Sequence, residues 1–147
     1  MSSIYVASSW RNDIQPEVVC ALREDGHTVY DFRNPPLSTG FAWSQIDEHW
    51  KSWTADEYRR ALRHPIALAG FASDFSGMAT ADTCVLVLPS GRSAHLEAGF
   101  MAGQGKRVII LTRDGEEPEL MALLCGGADD ICVSLDEVRQ RLTGANV

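Results

Sequence analysis

The sequence predicts an α/β domain built on a five-stranded parallel sheet, and three observations carry that prediction. Short apolar runs at 4–7, 83–88 and 108–111 are continuously hydrophobic, as expected of strands buried on both faces rather than on one. These runs alternate with helix-compatible stretches, most plainly at 94–104, which is the pattern of βαβ units. The chain has 147 residues, 45% hydrophobic and 22% charged, enough to bury a core within one globular domain, so a single domain spanning 1–147 is expected.

Taken in order, Ile4-Tyr5-Val6-Ala7 is the first strand and 8–12 the turn after it. Pro16 falls in the first turn of a helix that runs to about Glu24, with Val18, Val19 and Leu22 on one face and Gly26 as its stop. Residues 27–32 have strand character, ended by Arg33-Asn34-Pro35-Pro36. A long insertion, 37–65, holds three of the four tryptophans, Trp43, Trp50 and Trp53, and suggests two helices. The second begins at Thr54, with Glu57 three residues on as a capping box. Aromatic insertions of this length commonly cover sites, although tryptophans also fill cores.

Residues 66–81 are small, apolar and helical up to the third strand, with Asp74 as their single charge. The remaining expectations are a helix at 94–104, a fourth strand at 107–112, a loop at 113–117, a helix at 118–124 stopped by Gly126-Gly127, a fifth strand at 131–134 and a last helix at 135–142 capped by Ser134 or Asp136. Right-handed crossovers make the most economical arrangement a flavodoxin/Rossmann-like three-layer sandwich of strand order 2-1-3-4-5, with a helical insertion after strand 2. Ligands in such sheets bind outside the carboxyl ends of the strands near the switch point, which here joins the loops after strands 1 and 3.

Net charge is −7 with no lysine/arginine run, so nucleic-acid polymers and anionic membranes are not expected partners. A small anion stays compatible, because one or two local arginines can hold a phosphate. Cys20, Cys84, Cys125 and Cys132 have neither a CxxC nor a zinc-like spacing and read as free thiols in a reduced, cytoplasmic protein. No apolar run reaches ~18 residues and the N-terminus lacks a signal-peptide pattern.

Chemistry concentrates around Glu97, a carboxylate set among Leu96, Ala98, Gly99, Phe100 and Met101, where burial is costly without partners. The predicted topology gathers Tyr5, Ser9 and Arg11 from the first loop with Arg92, Ser93, His95 and Glu97 after strand 3, and Asp74 ahead of it. Hydroxyls, guanidinium groups and a helix N-terminus suit an anion. Two carboxylates, Glu97 and Asp74, follow the logic of retaining glycosidases, in which one attacks the anomeric carbon and the other handles the proton. The bland alternatives are a first-turn glutamate favoured by the helix dipole or paired with Arg92 or His95, and a capping aspartate at 74. Asp82 reads as structural. No GxGxxG, GxxxxGK[ST] or GxSxG occurs, and no cofactor or metal is expected.

The strings IYVA…W, SDFSGMATAD and HLEAGFMAGQGKRVIIL resemble the nucleoside 2-deoxyribosyltransferase superfamily, which includes nucleoside 5′-monophosphate N-glycosidases, over most of the chain. The resemblance implies cleavage of the bond between a (deoxy)ribose and its base through a covalent sugar ester on Glu97, the glutamate of the family's "EAG" motif. It puts the family's sugar-orienting or base-protonating aspartate at Asp74 and its first-strand tyrosine at Tyr5. In the monophosphate-hydrolysing branch a serine and an arginine, four and six residues after that tyrosine, hold the 5′-phosphate, and those positions are Ser9 and Arg11. Six residues before the glutamate the transferases usually carry aspartate and the hydrolases serine, whereas this chain has Gly91, with Arg92 and Ser93 able to supply a phosphate contact. A homodimer or larger homo-oligomer is implied. Transfer between bases and a non-catalytic nucleotide-binding module are the alternative readings.

Overall fold

The computed structural model describes residues 1–144. Five strands, β1 (Ser3–Ala7), β2 (Thr28–Asp31), β3 (Thr83–Val87), β4 (Arg107–Leu111) and β5 (Ile131–Cys132), form one parallel sheet in the order β2-β1-β3-β4-β5. Five α-helices accompany them: α1 (Gln15–Glu24), α2 (Ala55–Ala61), α3 (Pro65–Thr80), α4 (Arg92–Gly103) and α5 (Leu135–Thr143). The expected class and strand order are therefore those of the molecule.

The helix starts follow from local chemistry. Asn12 Oδ1 accepts from the backbone of Ile14 and Gln15, both at 2.8 Å, ahead of Pro16 in the first turn of α1. Thr54 and Glu57 make the reciprocal capping box of α2 (3.1 and 3.0 Å), and Ser134 accepts from the Glu137 amide at 3.2 Å to cap α5. Gly26 ends the α1 connection at φ +90°, a conformation that favours glycine.

Contacts divide the chain into two compact units, one of Met1–Asp31 with the chain from Met78 onward, the other of Phe32–Gly77. In the first, the sheet separates two apolar clusters in a three-layer arrangement. Val18, Val19 and Leu22 of α1 and Val138 of α5 pack on Ile4, Val6, Val85, Val87 and Ile109. On the opposite face Ala94, Ala98 and Met101 of α4, with Met78 and Ala81, pack on Tyr5, Ala7, Cys84, Leu86, Val108 and Ile110. The alternation along β1 and β3 thus turns Tyr5 and Cys84, which lie opposite each other in register, toward α4.

In the second unit Trp43 takes edge-on contacts from Phe41, Trp53 and Tyr58. Gly70 of α3 lets Phe41 approach so closely that an added Cβ would stand 3.0 Å from the Phe41 Cβ. Trp43 and Trp53 are half-buried and, with Phe41 and Tyr58, form a small aromatic cluster, while Trp50, also half-buried, lies under the Lys51 ammonium.

Three elements differ from the sequence expectation. The first helix of the insertion is replaced by two 3₁₀ turns, Trp43–Gln45 and Trp50–Ser52, because the Asp47 carboxylate accepts from the His49 amide (2.9 Å) and from Trp53 Nε1 (2.7 Å), an alternative to helical bonding. The helix expected at 118–124 is a 3₁₀ segment, Leu120–Cys125, with no side-chain cap and a left-handed Gly126 behind it. The fifth strand stops at Cys132 because Glu137 Oε2 claims the Val133 amide at 3.1 Å. Among the described residues no helix is long and apolar enough to cross a membrane.

Candidate active site

Tyr5 is fully buried in the middle of the sheet, and its ring stacks flat on Tyr30 of β2, with centroids 5.2 Å apart and planes 7° apart. Its hydroxyl donates to Glu97 Oε2. Glu97 stands past the first turn of α4, half-buried, on the side of the helix that Ala94, Ala98 and Met101 seat against the sheet. The isolated carboxylate of the sequence is therefore partnered by a phenol across 92 positions of chain. Burial, and secondarily the nearby Glu97 charge, push the Cys84 thiol far above its ordinary range, so it stays neutral beneath the pair.

Two loops at the carboxyl ends of β1 and β3 meet beside this pair. Ser8 Oγ donates to the Val87 carbonyl (2.9 Å), and Asn12 Nδ2 donates to the carbonyls of Pro89 (3.0 Å) and Val87 (3.4 Å). Within the first loop Ser9 Oγ accepts from the Arg11 amide at 3.2 Å and Ser9 O from the Asn12 amide at 3.1 Å, while the Arg11 side chain is exposed. Gly91 is the residue preceding α4, with φ −81° and ψ −177°, and a Cβ there would meet nothing within 4 Å. Arg92 and Ser93 follow as exposed first-turn residues, and His95 Nδ1 lies 3.1 Å from the Gly91 carbonyl and 3.4 Å from Ser90 Oγ. Tyr5, Ser9, Arg11, Gly91, Arg92, Ser93 and Glu97 thus belong to one unit, on two loops and the elements that these loops join.

Asp74 belongs to the other unit. It is half-buried on α3 and lines a cavity of about 390 Å³ with Phe32, Phe41, Gln45 and Ser73. A larger cavity, about 610 Å³, is walled by His95, Ala98 and Gly99 of α4 together with Leu88, Ile110 and Met121. Neither Glu97 nor Asp74 lines it. Asp82 has the structural part expected of it, accepting from the Ser3 amide at 3.1 Å and from the Thr83 hydroxyl at 2.7 Å.

Sequence reasoning missed Ser8, Asn12 and Tyr30. Asn12 was legible in part, since an asparagine shortly before a first-turn proline is a helix-start signal. The Tyr5–Tyr30 stack depends on strand register, in which Tyr5 lies opposite Tyr30, and has no local signature.

No family model matches the chain. The sequence is 24% identical over 145 residues to the nucleoside deoxyribosyltransferase of Lactobacillus leichmannii, covering 93% of this chain and 87% of that protein. A 2-deoxyribosyltransferase from Bacillus psychrosaccharolyticus has a similar fold, with a TM-score of 0.53 at 23% identity over 80% of this chain and 77% of that one. So does a CMP N-glycosidase of Clostridium botulinum, with a TM-score of 0.52 at 15% identity over 95% and 97% of the two chains.

Proposed function

We propose that this chain, which falls in the nucleoside 2-deoxyribosyltransferase superfamily by sequence and by fold, cleaves the N-glycosidic bond of (deoxy)nucleoside 5′-monophosphates and releases the free base. The observation that carries the proposal is the Tyr5 hydroxyl bonded to Glu97, at the carboxyl-end side of the central strands, where the loops of Ser9, Arg11 and Gly91–Ser93 are tied together. A hydrogen bond donated to one carboxylate oxygen fixes the plane of the group and directs the other oxygen to a reacting carbon.

In this reading the Glu97 carboxylate attacks C1′ as the C1′–N bond breaks. The bonding pair leaves with the base nitrogen, which takes a proton from the Asp74 carboxyl group. Water then attacks C1′, its proton passes to the Asp74 carboxylate, and the ester oxygen returns to Glu97 as carboxylate. Tyr5 orients Glu97 in both half-reactions and stabilises the charge that returns to it. Asp74's part rests on its sequence position and on the aromatic-lined cavity it shares with Phe32 and Phe41, which suits a flat base. Ser9, Arg11, Arg92, Ser93 and the N-terminus of α4 hold the 5′-phosphate, cationic and amide donors offsetting a net charge of −7. Assembly as a homodimer or larger belongs to the same reading.

The second reading is base exchange, favoured by the curated relative named a deoxyribosyltransferase. It uses the same ester, with a second base in place of water. One assay separates them: nucleosides and 5′-monophosphates are incubated with and without a second free base, and base release is followed by chromatography. Release from monophosphates without a second base supports hydrolysis, and exchange supports transfer. Glu97→Ala is expected to lower either rate by roughly four orders of magnitude or more, as removal of a nucleophile does. Turnover unchanged in that variant would refute both readings.

A further inference from the structure

Asn12 is 3% exposed and uses both ends of its side-chain amide. Its oxygen accepts from Ile14 and Gln15 and starts α1, while its nitrogen donates to Pro89 and Val87 in the turn that leads from β3 to α4. Ser8 adds a second tie to the Val87 carbonyl at 2.9 Å. Asn12 directly follows Arg11, and Pro89 is separated from Gly91 by Ser90 alone, so one amide sets the spacing between the two halves of the proposed phosphate grip. Without it the carbonyls of Val87 and Pro89 lose donors in a largely buried setting, and the turn must shift to recover them.

We propose that Asn12 is a specificity-positioning residue: by clamping the β1–α1 loop to the β3–α4 turn it sets the preference for a 5′-phosphate over a bare 5′-hydroxyl. The proposal rests on the monophosphate reading above. Its distinctive consequence is that breaking the clamp damages phosphate recognition, carried by the loops, more than the Tyr5–Glu97 pair, which is carried by β1 and the body of α4.

Asn12→Ser keeps an oxygen able to cap α1 but is too short to reach both carbonyls, and Ser8→Ala removes the second tie without touching the cap. Thermal melts establish that each variant is folded at the assay temperature, and kcat and KM are measured for a 5′-monophosphate and its nucleoside. Calorimetric binding of ribose 5-phosphate reads the phosphate grip apart from turnover. Asn12→Ser is expected to raise the monophosphate KM by ~10- to 100-fold, the cost of about an ångström of misplacement, with ribose 5-phosphate binding weakened in parallel and nucleoside kcat/KM within about threefold. Ser8→Ala is expected to move the same quantities in the same direction by a smaller factor.

Equal losses on both substrates in these folded variants, or unchanged ribose 5-phosphate binding, overturn the proposal. Should Asn12→Ser fail to fold, Ser8→Ala decides by the same criteria. If the unaltered protein neither hydrolyses monophosphates nor binds ribose 5-phosphate, the monophosphate reading fails and the inference falls with it. If it does both and the variants are indifferent, the inference alone fails.

Discussion

Gly91 is a glycine whose backbone does not require one. Its φ of −81° is open to any residue, and a side chain there would enter empty space beside the first turn of α4. The choice of residue at this position is therefore a matter of chemistry and not of strain. The resemblance that implies aspartate for transferases and serine for monophosphate hydrolases can be tested directly on it. An aspartate ahead of α4 is favourable to the helix, since a carboxylate at a helix N-terminus meets the positive end of the dipole, so Gly91→Asp is expected to fold with unchanged or slightly higher thermal stability. Under the proposed monophosphate reading the same carboxylate would face an incoming 5′-phosphate. The kcat/KM for monophosphates is expected to fall at least about tenfold relative to nucleosides, because like charges brought together are costly in a partly desolvated site. Steady-state kinetics on a matched nucleotide and nucleoside pair, with a melting curve as the folding control, checks it. An unchanged ratio between the two substrates would remove Gly91 from the phosphate grip.

At the scale of elements, the C-terminal end of α1 is joined to the middle of α5. Arg139 of α5 donates two hydrogen bonds to Asp25 behind α1, at 2.8 and 2.6 Å. That hydrogen-bonded guanidinium holds the Asp25 carboxyl below the usual carboxylate range. A carboxylate with a lowered folded-state pKa contributes stability above its unfolded pKa of about 3.9 and loses it as pH falls through the folded value. Arg139→Gln is therefore expected to melt below the unaltered protein at pH 7 and to converge with it in acid below about pH 4. Melts at pH 7, 5 and 3 measure this, and a gap that stays constant through the acid range would show that the pair's charge is not responsible. Elements governed by local chemistry were legible in the sequence. Apolar runs marked β1, β3 and β4, and Thr54 and Ser134 marked helix starts that the structure retains. Elements decided by a competing side chain were not: Asp47 divides the expected first helix of the insertion, and Glu137 cuts β5 to two residues. The site divides along the same line. Glu97 stood out for its apolar setting and the strand order gathered Tyr5 with it, but the direct hydrogen bond between them depends on how α4 docks on β1. Asn12 read as a turn residue because the carbonyls it binds lie 75 and 77 positions away.

At the scale of the sheet-containing unit, the two faces differ in what depends on them. Leu22 of α1 and Met101 of α4 are both fully buried, on opposite faces. Truncating either to alanine removes a large apolar side chain and leaves a cavity, at about 2–5 kcal/mol of stability. Only the Met101 face carries the Tyr5–Glu97 pair, and Met101 lies one helical turn beyond Glu97 on the buried side of α4. A cavity beneath α4 lets the helix settle, and a displacement of about an ångström at a nucleophile can lower turnover by ~10²-fold. Met101→Ala is therefore expected to lower kcat by roughly ten- to a hundredfold at a temperature where it is fully folded. Leu22→Ala, with a comparable loss of stability, should keep kcat within about threefold, since distant and independent sites do not couple strongly. Denaturant melts on both variants, followed by kcat at a temperature well below both transitions, make the comparison. Equal effects on kcat would mean that the catalytic geometry depends on the stability of the whole sheet and not on the packing of α4 against it.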